Sequence, residues 1–141
     1  MGKISFNSED VGFKMPQKSI YKAWIEAVAH SHGKKVGEIS YIFCSDDYLL
    51  EMNKQYLQHD YYTDIITFDY TEGETISGDL FISVDRVNDN ASELGVSAEI
   101  EMQRVVIHGV LHLCGFKDKD FEAEQTMRKM EENALQIFSK K

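Results

Sequence analysis

The stretch from Ser97 to Gly115 limits the possible folds more than any other part of the chain. Beyond its first turn, Ile100, Val105, Val106, Ile107, Val110, Leu111, Leu113 and Cys114 put apolar side chains on nearly every face of a helix. Ser97 suits the N-cap and Gly115 the stop. A helix that is apolar all round has to be buried, so the rest of the chain must wrap around it. The wrapping elements can be read from periodicity. Ile4 to Asn7 predicts a short strand. Pro16 suits the first turn of a helix reaching about His32, with Ile20, Trp24, Ala27 and Val28 as its apolar stripe and Gly33 at its end. Gly37 to Cys44 alternates as a strand. Ser45 caps a helix that runs to about Leu57, with Asp46 and Asp47 where the helix dipole favours anions. After a loop containing His59, Asp64 to Tyr70 and Asp79 to Val84 predict a hairpin around the turn Thr71 to Ser77. Residues 85–94 form a weaker helix ended by Gly95. Asp120 to Phe138 predicts a last amphipathic helix, with the segment from Glu122 onward expected to be solvated. The order β-α-β-α-β-β-α-α-α indicates an α+β fold: a small mixed four-stranded sheet, a central buried helix and further helices around it. The 141 residues, without linker or repeat, fit a single domain spanning 1–141.

Composition narrows the functional classes. The formal net charge of −9 argues against a protein that binds nucleic acid through overall basicity. The charge is uneven, however. Residues 1–38 carry six lysines against four acidic residues, whereas residues 39–141 carry nine basic against twenty acidic ones. Lys14, Lys18, Lys22, Lys34 and Lys35 give the first third a modest basic character, read first as a solvated helix face. Two cysteines, Cys44 and Cys114, are too few for a disulfide framework and form no CxxC pair, so buried thiols in a reducing compartment are expected. The opening MGKISFNSED lacks the apolar stretch of a signal peptide, and Phe6 breaks the myristoylation pattern. No run is long and apolar enough for a membrane span. A cytoplasmic protein without a membrane partner is the expectation.

Chemistry enters with two histidines on the buried helix. His108 and His112 are four apart, so both rings project from one face, one turn apart, within reach of a single ion. Gly115 ends the helix at low conformational cost, and Asp118 follows three residues later, giving HxxxHxxGxxD. Three protein ligands with a fourth position left for water is the form of a catalytic zinc site. Two histidines and a carboxylate also suit Fe²⁺, Mn²⁺ or Ni²⁺. Hydrolytic zincins place Glu directly after the first His as general base. Here Gly109 stands there, which disfavours a peptidase. His30 and His32 are read as partners of the carbonyls ending the first long helix.

The string HGVLHLCGFKD, residues 108–118, resembles the signature HGxLHLxGYDH of the YbeY endoribonuclease family. The likeness continues upstream. Asn53-Lys54-Gln55-Tyr56, Asp60 and Thr63-Asp64-Ile65-Ile66-Thr67-Phe68 are similar to NxxYRxxDxxTDVLSF, and Gly78-Asp79-Leu80-Phe81-Ile82-Ser83 is similar to GDIxIS. The resemblance implies His108 and His112 as zinc ligands, with Asp118 in place of the family's usual third His and Asp120 as fallback. Lys117 replaces an Asp and sets a cation beside the site. Leu57 stands where the family has Arg, a candidate for the scissile phosphate, so Lys54 or Lys117 becomes a candidate RNA contact. The resemblance also implies one zinc per chain, cleavage of single-stranded RNA, maturation of the 3′ end of 16S ribosomal RNA, ribosome quality control, and ribosomal RNA or ribosomal proteins as partners.

The expected reaction is hydrolysis of a phosphodiester, assisted by an ion that acidifies water. Asp64 and Asp79 are candidate bases because they start strands in the matching blocks; strand-end caps are the plainer reading of both. Two rival functions are a ribosome-assembly factor that binds metal without cleaving RNA, which Leu57 favours, and a small metallopeptidase.

Overall fold

The computed structural model describes residues 2–57 and 62–139. His59 and Asp60, both named above, lie outside the described residues. Among the described residues four strands and five helices follow the expected order: β1 (Lys3–Ser8), α1 (Lys18–Ser31), β2 (Lys35–Cys44), α2 (Asp46–Tyr56), β3 (Ile65–Asp69), β4 (Thr75–Ser83), α3 (Val84–Leu94), α4 (Ala98–Leu113) and α5 (Phe121–Ser139).

The sheet is mixed, as expected, in the order β1-β2-β4-β3. β1, β2 and β4 are parallel, and β3 runs antiparallel against β4 as the arm of the hairpin. Its core-facing side chains on β4 are Ile76, Leu80 and Ile82, all fully buried. Successive strand residues point to opposite faces, so Asp79 and Phe81 look the other way, where Phe81 meets Phe68 and Tyr48 of the α2 layer. α4 lies on the first face. The Tyr41 hydroxyl donates to the Val106 carbonyl at 2.9 Å, tying the middle of the helix to the middle of the sheet. α1 and α5 close over this core: Trp24 Nε1 donates to the Ala134 carbonyl at 2.7 Å, and Phe138 packs on both Trp24 and Tyr21.

Several boundaries differ from expectation for physical reasons. α1 starts at Lys18, because Gln17 takes a left-handed conformation at its N-cap and leaves Pro16 ahead of the helix. β4 begins at Thr75, earlier than Asp79, because β2 also extends upstream and Val36 pairs with the buried Ile76. The α5 segment is not merely a solvated tail. Met127, Glu131 and Ala134 are buried on one of its faces while the opposite face meets water. Within α4, Ile100 is exposed, and the helix becomes buried only from Glu101 onward. Both cysteines are free and buried. Burial pushes the Cys44 thiol up to about 12 and the Cys114 thiol up to about 11, so neither is a ready nucleophile.

Candidate metal centre

α4 ends as the sequence indicates. The Gly115 amide donates to the His112 carbonyl at 3.0 Å and the Phe116 amide to the Leu111 carbonyl at 3.1 Å, while Gly115 itself takes a positive φ of 106°. This reversal carries Asp118 back over the helix end. Its Oδ2 lies 3.5 Å from His108 Nε2, and its Oδ1 lies 3.5 Å from His112 Nε2. The two imidazole centroids are 5.3 Å apart. One donor atom from each of the three residues lies within 4.8 Å of the others. Two imidazole nitrogens and one carboxylate oxygen converging this closely fit a divalent transition ion. Burial, then the neighbouring His108, lowers the His112 pKa, with Asp118 opposing; a neutral ring is the form that ligates metal. Asp120, the fallback, is occupied elsewhere: its Oδ1 accepts the Ala123 amide at 2.8 Å and caps α5.

The three donors sit on the wall of a cavity of about 510 Å³ between the end of α4 and strand β3. Asp64, Asp69, Lys117, Lys119 and Leu57 share that wall. Among the described residues three carboxylates face two lysines there, a balance that a bound divalent ion would turn positive. Leu57, at the C-terminal end of α2, is 42 % exposed. The departure from Arg therefore falls inside the site.

The two candidate bases part company. Asp64 immediately precedes β3 and lines the cavity. Burial raises its pKa, with Arg104, 3.4 Å away, and His108 opposing. Asp79 lies in mid-strand, on the sheet face opposite the histidines, where its Oδ2 accepts the Tyr70 hydroxyl at 3.2 Å. It is neither a strand start nor part of the cavity. Lys54, on exposed α2, lies 3.7 Å from Glu51 and is likewise not on the cavity wall, whereas Lys117 is. His32 uses its backbone, not its ring, on the helix carbonyls: its amide donates to the Ala29 carbonyl, and its ring packs edge-on against Phe116. His30 is exposed in the last turn of α1.

Gly109 explains the missing zincin glutamate. A Cβ at this position would meet Ile65 Cδ1 at 3.0 Å and Leu80 Cδ2 at 3.1 Å. The glycine is where α4 touches the sheet, so a side chain there has to push Ile65 and Leu80 aside. What sequence reading missed is a polar stripe on the supposedly apolar helix. Glu101, Arg104, His108 and His112 succeed one another at spacings of three and four, the signature of one helix face. Glu131, from α5, joins them with Oε2 2.6 Å from His108 Nδ1. Its sequence signal was slight, since one acid among many on an amphipathic helix reads as solvated.

Comparison with known proteins gives the family of the whole chain. The family described as Endoribonuclease YbeY matches residues 3–139. An Endoribonuclease YbeY of Parabacteroides distasonis is 53 % identical over 135 residues, which span 96 % of this chain and 95 % of that protein. One from Phocaeicola vulgatus is 55 % identical over 138 residues, spanning 96 % of this chain and 99 % of the relative. The solution structure of TM1509 from Thermotoga maritima superposes with a TM-score of 0.64 at 26 % identity, covering 97 % of this chain and 92 % of that one. With the family matched along almost its whole length, this chain belongs to the Endoribonuclease YbeY family.

Proposed function

We propose that this protein is a zinc-dependent endoribonuclease that cleaves single-stranded ribosomal RNA, serving maturation of the 3′ end of 16S RNA and ribosome quality control in the cytoplasm. The observation that carries the reading is the convergence of His108, His112 and Asp118 on the wall of a cavity that also presents Lys117 and Lys119. His108 and His112 would hold the ion through Nε2 and Asp118 through a carboxylate oxygen. Zinc, when bound, supplies Lewis acidity toward a phosphoryl oxygen and makes water more acidic. The lysines bind and orient the phosphodiester. Asp64, with its pKa raised by burial, accepts the proton of the attacking water at its carboxylate, since a raised pKa makes a carboxylate a better base near neutrality. Asp79, on the far face of the sheet, takes no part in proton transfer.

A second reading, a metal-stabilised assembly factor without cleavage, rests on Leu57, which cannot pair with phosphate as Arg would. A peptidase is disfavoured by the contact at Gly109. Metal content and cleavage of a single-stranded 16S fragment, measured on wild type, His112→Ala and Asp64→Asn, separate these readings. The nuclease reading expects about one zinc per chain and cleavage in wild type. It expects loss of both zinc and cleavage in His112→Ala, and retained zinc with cleavage about 10²-fold or more slower in Asp64→Asn. Zinc without cleavage in wild type would favour the assembly factor, and Leu57→Arg would then be expected to restore turnover.

A further inference from the structure

α5 brings a buried carboxylate to the edge of the metal centre. Glu131 is 3 % exposed. Its Oε2 lies 2.6 Å from His108 Nδ1 and its Oε1 accepts from the Arg104 guanidinium at 3.3 Å. Arg104 is held in turn by Glu101, itself 1 % exposed, through two bonds of 2.9 and 2.7 Å. Burying a carboxylate is costly unless it is paired and hydrogen-bonded. Here α4 supplies the pairing and α5 the carboxylate, so the chain of contacts runs from Glu101 through Arg104 and Glu131 back to the His108 ring.

Geometry gives this chain a consequence for the ion. A neutral imidazole has one N–H and one lone pair. A carboxylate beside Nδ1 favours the hydrogen on Nδ1 and leaves the lone pair on Nε2, the atom that faces Asp118. Such outer partners of ligating histidines fix both tautomer and ring orientation. We propose that Glu131 is a positioning residue of the metal centre, locking His108 in its Nδ1–H tautomer, with Arg104, braced by Glu101, holding the Glu131 carboxylate in place. The proposal rests on the reading of His108, His112 and Asp118 as the metal-holding set. It makes the last helix part of the centre as well as part of the packing.

The test compares full-length wild type, Glu131→Met and Glu131→Gln. Met keeps the volume and removes the acceptor, whereas Gln keeps one acceptor oxygen. Zinc affinity is read by competition with a chromophoric chelator, and the His108 tautomer by nitrogen NMR on the metal-free proteins. Expected are an Nδ1–H tautomer in wild type, and in Glu131→Met a shift away from it with zinc affinity weakened about 10- to 100-fold. Glu131→Gln should keep the tautomer and stay within a few-fold of wild type. Weakened zinc binding with the wild-type tautomer retained in Glu131→Met would assign Glu131 a packing role only and overturn the proposal, as would unchanged zinc affinity in that variant. An Nε2–H tautomer in wild type would overturn it even if Glu131→Met failed to fold. If wild type took up no zinc, the metal reading would fall and this inference with it; if wild type loaded and Glu131→Met loaded alike, only this inference would fall.

Discussion

Lys117 and Leu57 stand on the same cavity wall, and under the proposed function each would change what a phosphate meets there. Lys117, in place of an Asp, offers a flexible point charge and not the rigid fork that an Arg at position 57 would present, so its contribution is expected to be electrostatic and independent of base sequence. Lys117→Ala should weaken binding of single-stranded RNA evenly across sequences and reduce the slope of log affinity against log salt by about 0.7, measured by fluorescence anisotropy over a salt series. His32 lies outside the candidate metal centre, packed against Phe116. Burial lowers its pKa below the ordinary value of 6.5, so the unfolded chain binds protons there more readily than the folded one. Stability is therefore fully present above pH 6.5 and is lost as pH falls through the folded pKa. In urea denaturation of the metal-free protein, wild type should lose more stability than His32→Asn as pH falls from 7 to 5.5, and an unchanged gap between the two would refute this.

At the scale of the element, α4 has three duties at once. Its apolar residues fill the core, its polar stripe Glu101–Arg104–His108–His112 builds the site, and Gly109 brings it against the sheet. The second duty is compatible with the first because every buried charge on the stripe has a partner, Glu101 with Arg104 and Arg104 with Glu131 and Asp64. Gly109 sets the limit on changing the chemistry. Installing the zincin glutamate by Gly109→Glu should displace Ile65 and Leu80 and strand a charge at the sheet contact, costing about 2 kcal/mol or more. Chemical denaturation of the metal-free variant measures this, and a peptidase assay should stay blank.

For the whole molecule, the first and last helices meet over the same core. The Trp24 indole bonds to Ala134, 110 residues away in sequence, and Phe138 covers Trp24 and Tyr21. A chain ending at Asp120 would expose these large aromatic faces and leave Arg104 and His108 without Glu131. Such a truncation is expected to lose its cooperative thermal transition by circular dichroism. Retention of a sharp transition would show that α5 is dispensable for folding.

Local pattern alone was enough for the element order, the mixed sheet with its hairpin, the burial of α4 and the closeness of His108, His112 and Asp118. These follow from apolar periodicity, from capping residues and from ligand spacing within eleven consecutive positions, all short-range properties. Tertiary structure decided what depends on which distant groups meet. Asp64 and Asp79 looked equivalent as acids in matching blocks, yet the two-residue alternation of strands sends Asp79 to the opposite face while Asp64 stays at the cavity. Glu131 looked like one more solvated acid until the packing of α5 set it 2.6 Å from His108. Leu57 gained its meaning only from the wall it shares with His108, His112 and Asp118. Sequence determines periodicity and spacing because they are encoded along the chain; partners brought together across more than twenty residues are fixed only when the core closes and their burial requires them to pair.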